Sequence, residues 1–313
     1  MLLTKLQRYV RHASRSQAQY SLGQEVSYDE RLGFGEQQPQ MSSAVLLEPP
    51  LQAHSLNAID PLDSQFSYFL DGIQRSWLMY LVDYVPVYYG YTAAVIRQRS
   101  DRHLHTWLHQ VHEAIYLPFA HIAPAELANL QKQDFQLIDT LPKQELHPLS
   151  LRDSAREAIA NRRQQLESEL AEQWIKAQCS GWLVIDGAIH ELHPRAIGVI
   201  KSHNTQYFPF PEQAVILGLR AGQRSSLFQP AQRQGVCSWY LRLRENNSND
   251  PYFGLIRIES SLKTPEQADQ ISLWLMAERR PLSLPDNRWD RLIYPIRDCE
   301  QYLRSHEPRL VIL

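Results

Sequence analysis

Hydrophobic and polar positions alternate with two different periods along this chain, and the period changes mark its elements. From Leu151 to Ala177, the apolar residues Leu151, Ala155, Ile159, Leu166, Leu170, Trp174 and Ala177 recur at mostly three- and four-residue steps, with Arg and Glu between them. This spacing predicts the longest helix. Immediately after it, Trp182-Leu-Val-Ile-Asp186 is a short continuous apolar run closed by Asp-Gly, the pattern of a buried strand that delivers a polar residue at its carboxyl end. Further strands are expected at Phe66 to Asp71, within the apolar run Leu78 to Tyr91, and at Ala196 to Lys201. Trp239 to Arg244 and Phe253 to Glu259 read as a hairpin, because WYLRLR alternates apolar and basic residues and ENNSNDPY between the two is dense in turn formers. A closing helix, Pro265 to Glu278, has Thr264 as its N-cap and proline at its first position.

The first 60 residues have a weaker pattern. A helix is expected near Leu2 to His12, followed by irregular chain, since Arg15 to Gln40 is rich in Gln, Ser, Gly and charge and leads into the proline-marked LLEPPLQAH. The expected organisation is an extension over 1–60, partly disordered or contacting a partner, and an α/β domain over 61–313 with a mixed central sheet flanked by helices. No internal repeat interrupts it.

Composition narrows the function classes. Of the 313 residues 43% are hydrophobic, enough for a substantial core. Lys and Arg total 32 against 34 Asp and Glu, so the formal charge of −2 gives no global attraction to a polyanion. A nucleic-acid ligand would have to be held by local basic patches or with a partner's help. Cys179, Cys237 and Cys299 form no CxxC pair, which argues against a disulfide framework and a thiolate zinc site. The amphipathic start MLLTKLQRYVRHASRS lacks the apolar core of a signal peptide, and no stretch approaches the roughly 20 apolar residues of a membrane span. A soluble protein of the reducing cytoplasm is expected.

Two Asp-Gly pairs, Asp71-Gly72 and Asp186-Gly187, follow hydrophobic runs. Carboxylates at such strand ends can be aimed at a common point beside the sheet, where they would bind hard divalent cations. Asp-Gly is also an ordinary turn dipeptide, so neither pair is specific by itself. His105, His109 and His112 fall at i, i+4 and i+7, a spacing that would place them on one face of a helix, where they could bind a transition metal. With only Glu113 as an acidic neighbour, they read as a solvated or partner-facing helix. Tyr80, Tyr84, Tyr88, Tyr89 and Tyr91 could stack on unpaired bases, but strand aromatics more often pack against the sheet or an interface.

Set in order, FLDGIQR (Phe69 to Arg75), WLVIDG (Trp182 to Gly187), IGVIKSHNTQY (Ile197 to Tyr207), SWYLRL (Ser238 to Leu243), GLIRIE (Gly254 to Glu259) and LIYPI (Leu292 to Ile296) resemble the NurA family of DNA nucleases, in a bacterial branch. The resemblance spans about residues 66 to 305. It implies an RNase H-like fold, Mn²⁺- or Mg²⁺-dependent DNA cleavage, a homodimer, and work alongside a HerA-type hexameric translocase in DNA end processing, whether for repair, recombination or defence against foreign DNA. Asp71 and Asp186 match the family's two strand-borne acidic positions. The preceding helix is then expected to supply a third metal-ligating carboxylate, Glu167, with Glu169 as the alternative, because a two-residue offset turns a helical side chain by about 200°. Lys201, at a strand end, is placed to neutralise the scissile phosphate, and Arg75 and His203 are candidate DNA contacts. Glu259 and Arg257 share a strand face and suggest a supporting ion pair. The chain departs from the family pattern in having Ile73-Gln74-Arg75 where Ser often follows the leading Asp-Gly. It also has Arg297, Asp298, Cys299 and Glu300 where a histidine often follows the tyrosine-proline. Asp298, Glu300 or His306 would then stand in as fourth ligand. Two other functions fit the same carboxylates: a non-cleaving, DNA-guiding subunit of a translocase complex, and an RNase H-like enzyme acting on RNA or an RNA–DNA hybrid.

Overall fold

The structure, a computed structural model, describes residues 2–16, 20–22, 40–56, 64–101, 103–140, 147–246, 250–262, 264–279 and 293–308. In chain order its elements are α1 (Leu2–Ser16), β1 (Tyr20–Leu22), β2 (Gln40–Met41), β3 (Ala44–Leu46), β4 (Ala53–Ser55), β5 (Phe66–Val82), β6 (Val85–Ser100), β7 (His103–Leu117), α2 (Pro124–Lys132), β8 (Leu137–Asp139) and α3 (Pro148–Lys176). They continue with β9 (Trp182–Asp186), β10 (Ala196–Ile200), β11 (Thr205–Gln206), α4 (Glu212–Leu217), β12 (Gln223–Ser225), β13 (Phe228–Pro230), β14 (Cys237–Arg242), β15 (Leu255–Ser260), α5 (Pro265–Glu278) and α6 (Tyr294–His306).

One mixed sheet organises the chain, in the order β3-β13-β14-β15-β10-β9-β5-β6-β7-β8. β5, β6 and β7 form an antiparallel meander; β9 then pairs parallel to β5, and β10 parallel to β9. The return from β7 to β9 runs through α2, β8 and the 29-residue α3. α3 opens with His147 accepting a hydrogen bond from the Leu149 amide and with Pro148 at the first turn, and it stops where Gln178 takes a positive φ of 47°.

The helices cover both faces, so central strands bury side chains on each. On one face Leu166, Leu170 and Trp174 of α3 pack on Tyr68, Leu70, Ile96, Leu183 and Ile185. On the other, Ile271 and Leu275 of α5 and Ile296, Cys299 and Leu303 of α6 pack on Phe69, Ile73, Val184 and Val199. Each fully buried large side chain contributes roughly 1.5–3 kcal/mol. All the apolar positions read from the helix pattern are buried except Ala177, which caps the end of α3 and is exposed.

Several expectations are corrected. Phe66 to Asp71 is the first third of a single 17-residue strand that passes straight through Asp71-Gly72, so this Asp-Gly is not a turn. The chain reverses only at Asp83-Tyr84, whose φ angles of 48° and 67° are those of a tight hairpin turn usually built with glycine. His105, His109 and His112 lie on the strand β7 rather than on a helix. They do not converge: His109 meets the rings of Tyr302 and His306, whereas His112 faces the charges of Arg162 and Glu169 on α3. Pro265–Glu278 forms as expected, with Thr264 capping the Gln267 amide, but it is followed by another helix, α6. Four of the five tyrosines are buried, and Tyr84 at the hairpin turn is 86% exposed.

The N-terminal 60 residues are part of the fold where they are described. Leu3, Leu6 and Val10 of α1 are buried in the same core as Ile122, Leu130 and Phe135. β3 pairs with β13 and β4 with β12, extending the sheet. The reading of 1–60 as a weakly ordered extension therefore does not hold for 2–10 or 40–56, because a three- and four-residue apolar stripe and two short strands find partners there. Residues 17–19, 23–39 and 57–63 lie outside the described residues.

Candidate active site

β5 and β9 run side by side with Leu70 opposite Ile185, so Asp71 and Asp186 occupy the next rung on adjacent strands, about 4.8 Å apart along the sheet. β9 ends at Asp186 while β5 continues. Among the described residues, β5 has no partner strand on that side from Asp71 until β1 joins at Tyr80, which leaves a notch in the sheet. Because Leu70 and Ile185 face α3, both aspartates face the other layer, the one formed by α5 and α6.

α3 crosses behind this notch and places Glu167 over Gly72. A Cβ at position 72 would lie 2.2 Å from Glu167 Oε1, so only glycine allows the carboxylate to come this close to the strand. Lys201, the residue after β10, donates from Nζ to Asp186 Oδ2 at 2.8 Å. Asp71 Oδ1 accepts from the Gly72 amide at 2.7 Å. Asp71 and Glu167 are 8% and 6% exposed.

Burial raises the Asp71 carboxyl well above its usual range; the charges of Asp186 and Glu167 push it the same way, and Lys201 opposes them. Glu167 is pushed up to about 7, again first by burial, against the pull of Arg163, which ion-pairs with it one helical turn earlier. The four residues Asp71, Glu167, Asp186 and Lys201, read from the sequence as one set, are thus neighbours in space.

A pH dependence follows. A carboxyl whose pKa is higher folded than unfolded binds its proton more tightly in the folded state. The resulting stability is complete below its ordinary 4.5 and is lost as pH rises through about 7. In EDTA, the protein is expected to lose up to about 3 kcal/mol between these limits from Glu167, with Asp71 adding in the same direction. Urea denaturation at pH 5 and pH 7.5 measures the loss, and Glu167→Gln should flatten it relative to wild type. Equal slopes in the two proteins would remove the assignment.

Glu169 is ruled out as the third carboxylate by its direction: it pairs with Arg162 at 2.8 Å and its side chain is 46% exposed. The three fourth-ligand candidates are engaged elsewhere. Asp298 binds Arg97 at 2.8 Å, Glu300 binds Arg304 at 2.9 Å, and the His306 Nδ1 lies 2.8 Å from the Tyr302 carbonyl. Arg75 pairs with Glu307 at 3.0 Å, and His203 stacks on Tyr252 with its Nε2 3.1 Å from the Leu255 carbonyl. Glu259 is fully buried between Arg257 at 2.6 Å and Arg233 at 2.7 Å, an ion-pair anchor for β15. Among the described residues, no three His, Cys, Asp or Glu side chains are arranged as they stand to enclose a cation.

Sequence reasoning missed Arg163 and Gln74. Arg163 Nε donates to Gln74 Oε1 at 3.0 Å while Nη1 ion-pairs with Glu167, tying α3 to β5 beside the cluster. The i, i+4 Arg-to-Glu spacing was the available signal. It missed Cys299 too, which is buried beneath the cluster with Sγ 3.3 Å from the Phe69 carbonyl; burial and then the Asp71 charge hold its thiol protonated.

No family model matches this sequence, and no curated protein matches it either. Among solved structures, the NurA nuclease from Sulfolobus solfataricus aligns over 81% of this chain and 81% of its own, at 12% identity and a TM-score of 0.44. At that level the likeness establishes neither family nor activity. What is established is a mixed α/β fold with helices on both faces of its sheet, and a buried acidic cluster at the notch where β9 ends.

Proposed function

We propose that the chain is a divalent-metal-dependent DNA nuclease of the NurA type. The observation that carries this reading is that three carboxylates converge on the notch, Asp71 and Asp186 from adjacent parallel strands and Glu167 from α3 across Gly72, near enough to feel one another's charge, with Lys201 on Asp186. The strand order β7-β6-β5-β9-β10, an antiparallel meander followed by two parallel strands, supports the RNase H-like assignment made from the motifs.

Mn²⁺ or Mg²⁺ fits the donor set. Oxygen ligands suit these hard ions, and the crowding of three carboxylates, two of them buried and raised in pKa, is relieved by a positive charge. When bound, the ion supplies Lewis-acid activation of water and stabilisation of the leaving oxygen. Asp71, Asp186 and Glu167 would hold it. Once Asp186 is so engaged, Lys201 is free to set its ammonium against a phosphate oxygen, where a point charge counters the charge that builds up during cleavage.

With a formal charge of −2, the chain has no excess of basic residues to grip DNA by itself, which supports dependence on a partner; the resemblance implies that this partner is a HerA-type hexameric translocase and that the working unit is a homodimer. Among the described residues no helix is long and apolar enough to cross a membrane. Arg75 and His203 remain DNA contacts in this reading only if DNA displaces Glu307 and Tyr252.

The test is cleavage of end-labelled single- and double-stranded DNA with Mn²⁺, Mg²⁺ or EDTA, alone and with the translocase, with RNA and RNA–DNA hybrid as competitors. Metal-dependent degradation of DNA is expected. A specific observation favours a second reading, a non-cleaving DNA-guiding subunit: Asp186 and Glu167 already have internal cations as partners. Intact DNA under every condition would establish that reading, and preferential cleavage of the hybrid would move the assignment to an RNase H-like enzyme.

A further inference from the structure

We infer that Arg163 is the positioning residue of this site: it fixes Glu167 for the cation and, through the same guanidinium, orients Gln74 toward an incoming oxygen. The inference rests on the metal-site reading above and goes beyond it, because neither residue is one of the proposed ligands.

Glu167 is 6% exposed, and Arg163 is the side chain that ion-pairs with it. A buried carboxylate without a donor turns toward water, which removes it from the space above Gly72. Arg163 is held at its other end. Its Nε donates to Gln74 Oε1 at 3.0 Å, and Gln74 lies two residues beyond Gly72 on the same face of β5. A planar guanidinium that bridges a strand amide and a helix carboxylate has little freedom, so the direction of Glu167 is inherited from β5 itself.

The arrangement also fixes Gln74. Because Arg163 can only donate, Oε1 of the amide must face it and Nε2 must face away. Gln74 Nε2 is buried and has no hydrogen-bond partner among the described residues. An unsatisfied buried donor of this kind is costly, and the cost is recovered when an acceptor arrives. A phosphodiester presents such acceptors. Gln74 therefore offers a neutral donor to a phosphate oxygen on the α3 side of the notch, beside Glu167, whereas Lys201 contributes charge from the side of Asp186.

The test is Mn²⁺ binding followed by electron paramagnetic resonance on the full chain, without substrate, in wild type, Arg163→Met, Arg163→Lys, Gln74→Leu and Glu167→Gln, with melting temperature measured on each. Arg163→Met is expected to weaken Mn²⁺ binding about tenfold, close to the effect of Glu167→Gln, and Arg163→Lys to restore part of it. Gln74→Leu should leave Mn²⁺ binding within threefold of wild type but weaken competition by a short phosphodiester, dTpdT, in the presence of Ca²⁺. Wild-type Mn²⁺ affinity in folded Arg163→Met would overturn the positioning role while leaving the nuclease reading intact. Failure of wild type itself to bind Mn²⁺ would remove both. If Arg163→Met does not fold, Arg163→Lys decides between these outcomes: binding weakened at an unchanged melting temperature supports the role, and binding equal to wild type overturns it.

Discussion

Asp71→Asn is expected to lower metal-dependent DNA cleavage by about a thousandfold or more while its melting temperature stays level or rises. The activity loss follows from removing an anionic ligand whose cation is worth several kcal/mol to the reaction, each 1.36 kcal/mol being a factor of ten. Stability moves the other way because Asp71 is nearly buried and crowded by Asp186 and Glu167, so neutralising it relieves repulsion. The amide oxygen of asparagine can still accept from the Gly72 amide. Asp186→Asn should lose as much activity but gain no stability, because it takes from Lys201 the counter-charge it pairs with at 2.8 Å and leaves only a neutral acceptor. Cleavage assays and thermal melts on the two variants read both axes. A loss of activity that tracks a loss of folding in both would mean that the carboxylates serve only structure.

Arg224→Met should destabilise the chain by about 3 kcal/mol, the largest stability effect expected from a single site outside the apolar core. Arg224 is 1% exposed and joins three parts of the chain. Its guanidinium binds Glu48 at 2.7 Å, in the segment between β3 and β4, and Asp269 of α5 at 2.5 Å, while its backbone sits in β12. Burial acts to raise the Glu48 carboxyl, but the hydrogen bonds from Arg224 and from the Leu227 amide outweigh it and hold Glu48 below its usual value. Removing the cation therefore strands a carboxylate that is ionised at neutral pH. Asp269 is 45% exposed and rehydrates, so Asp269→Asn should cost no more than about 1 kcal/mol. Urea denaturation of the two variants checks the difference. Equal, small effects would show that residues 40–56 are not anchored through Arg224 and that the link from the N-terminal segment to the sheet is dispensable.

The site residues were legible because local signals happened to coincide with global ones. β9 was recognised as WLVID, buried on both faces and therefore continuously apolar, and its terminal Asp186 is where the run placed it. α3 was recognised from its 3.6-residue stripe. The residues that failed did so for identifiable physical reasons. The histidines of β7 satisfy a helical spacing by chance, and only pairing with β6 over the whole strand makes them a strand. β5 was cut short at Asp71-Gly72 because a glycine after an aspartate normally marks a turn, whereas here glycine is required by the approach of Glu167. α6 begins at Tyr294-Pro295, and its buried Ile296, Cys299 and Leu303 have the right spacing but too few residues to stand out.

By itself, then, the sequence determined the alternation of strands and the long helix, the order of the motifs, and the positions of Asp186 and Lys201 at the ends of β9 and β10, because each depends on a periodicity or a strand end readable within a few residues; Asp71 lies inside β5, and only the resemblance grouped it with them. Tertiary structure alone decided that Glu167 rather than Glu169 is buried over Gly72 at the notch, that Arg163 and Gln74 hold it there, and that residues 40–56 join the sheet through β3 and β4 and are tied to α5 through Arg224. Those are facts of direction and of contact between residues far apart in the chain. A helical side chain's direction is fixed by which face the core takes, and the core is assembled from every element at once.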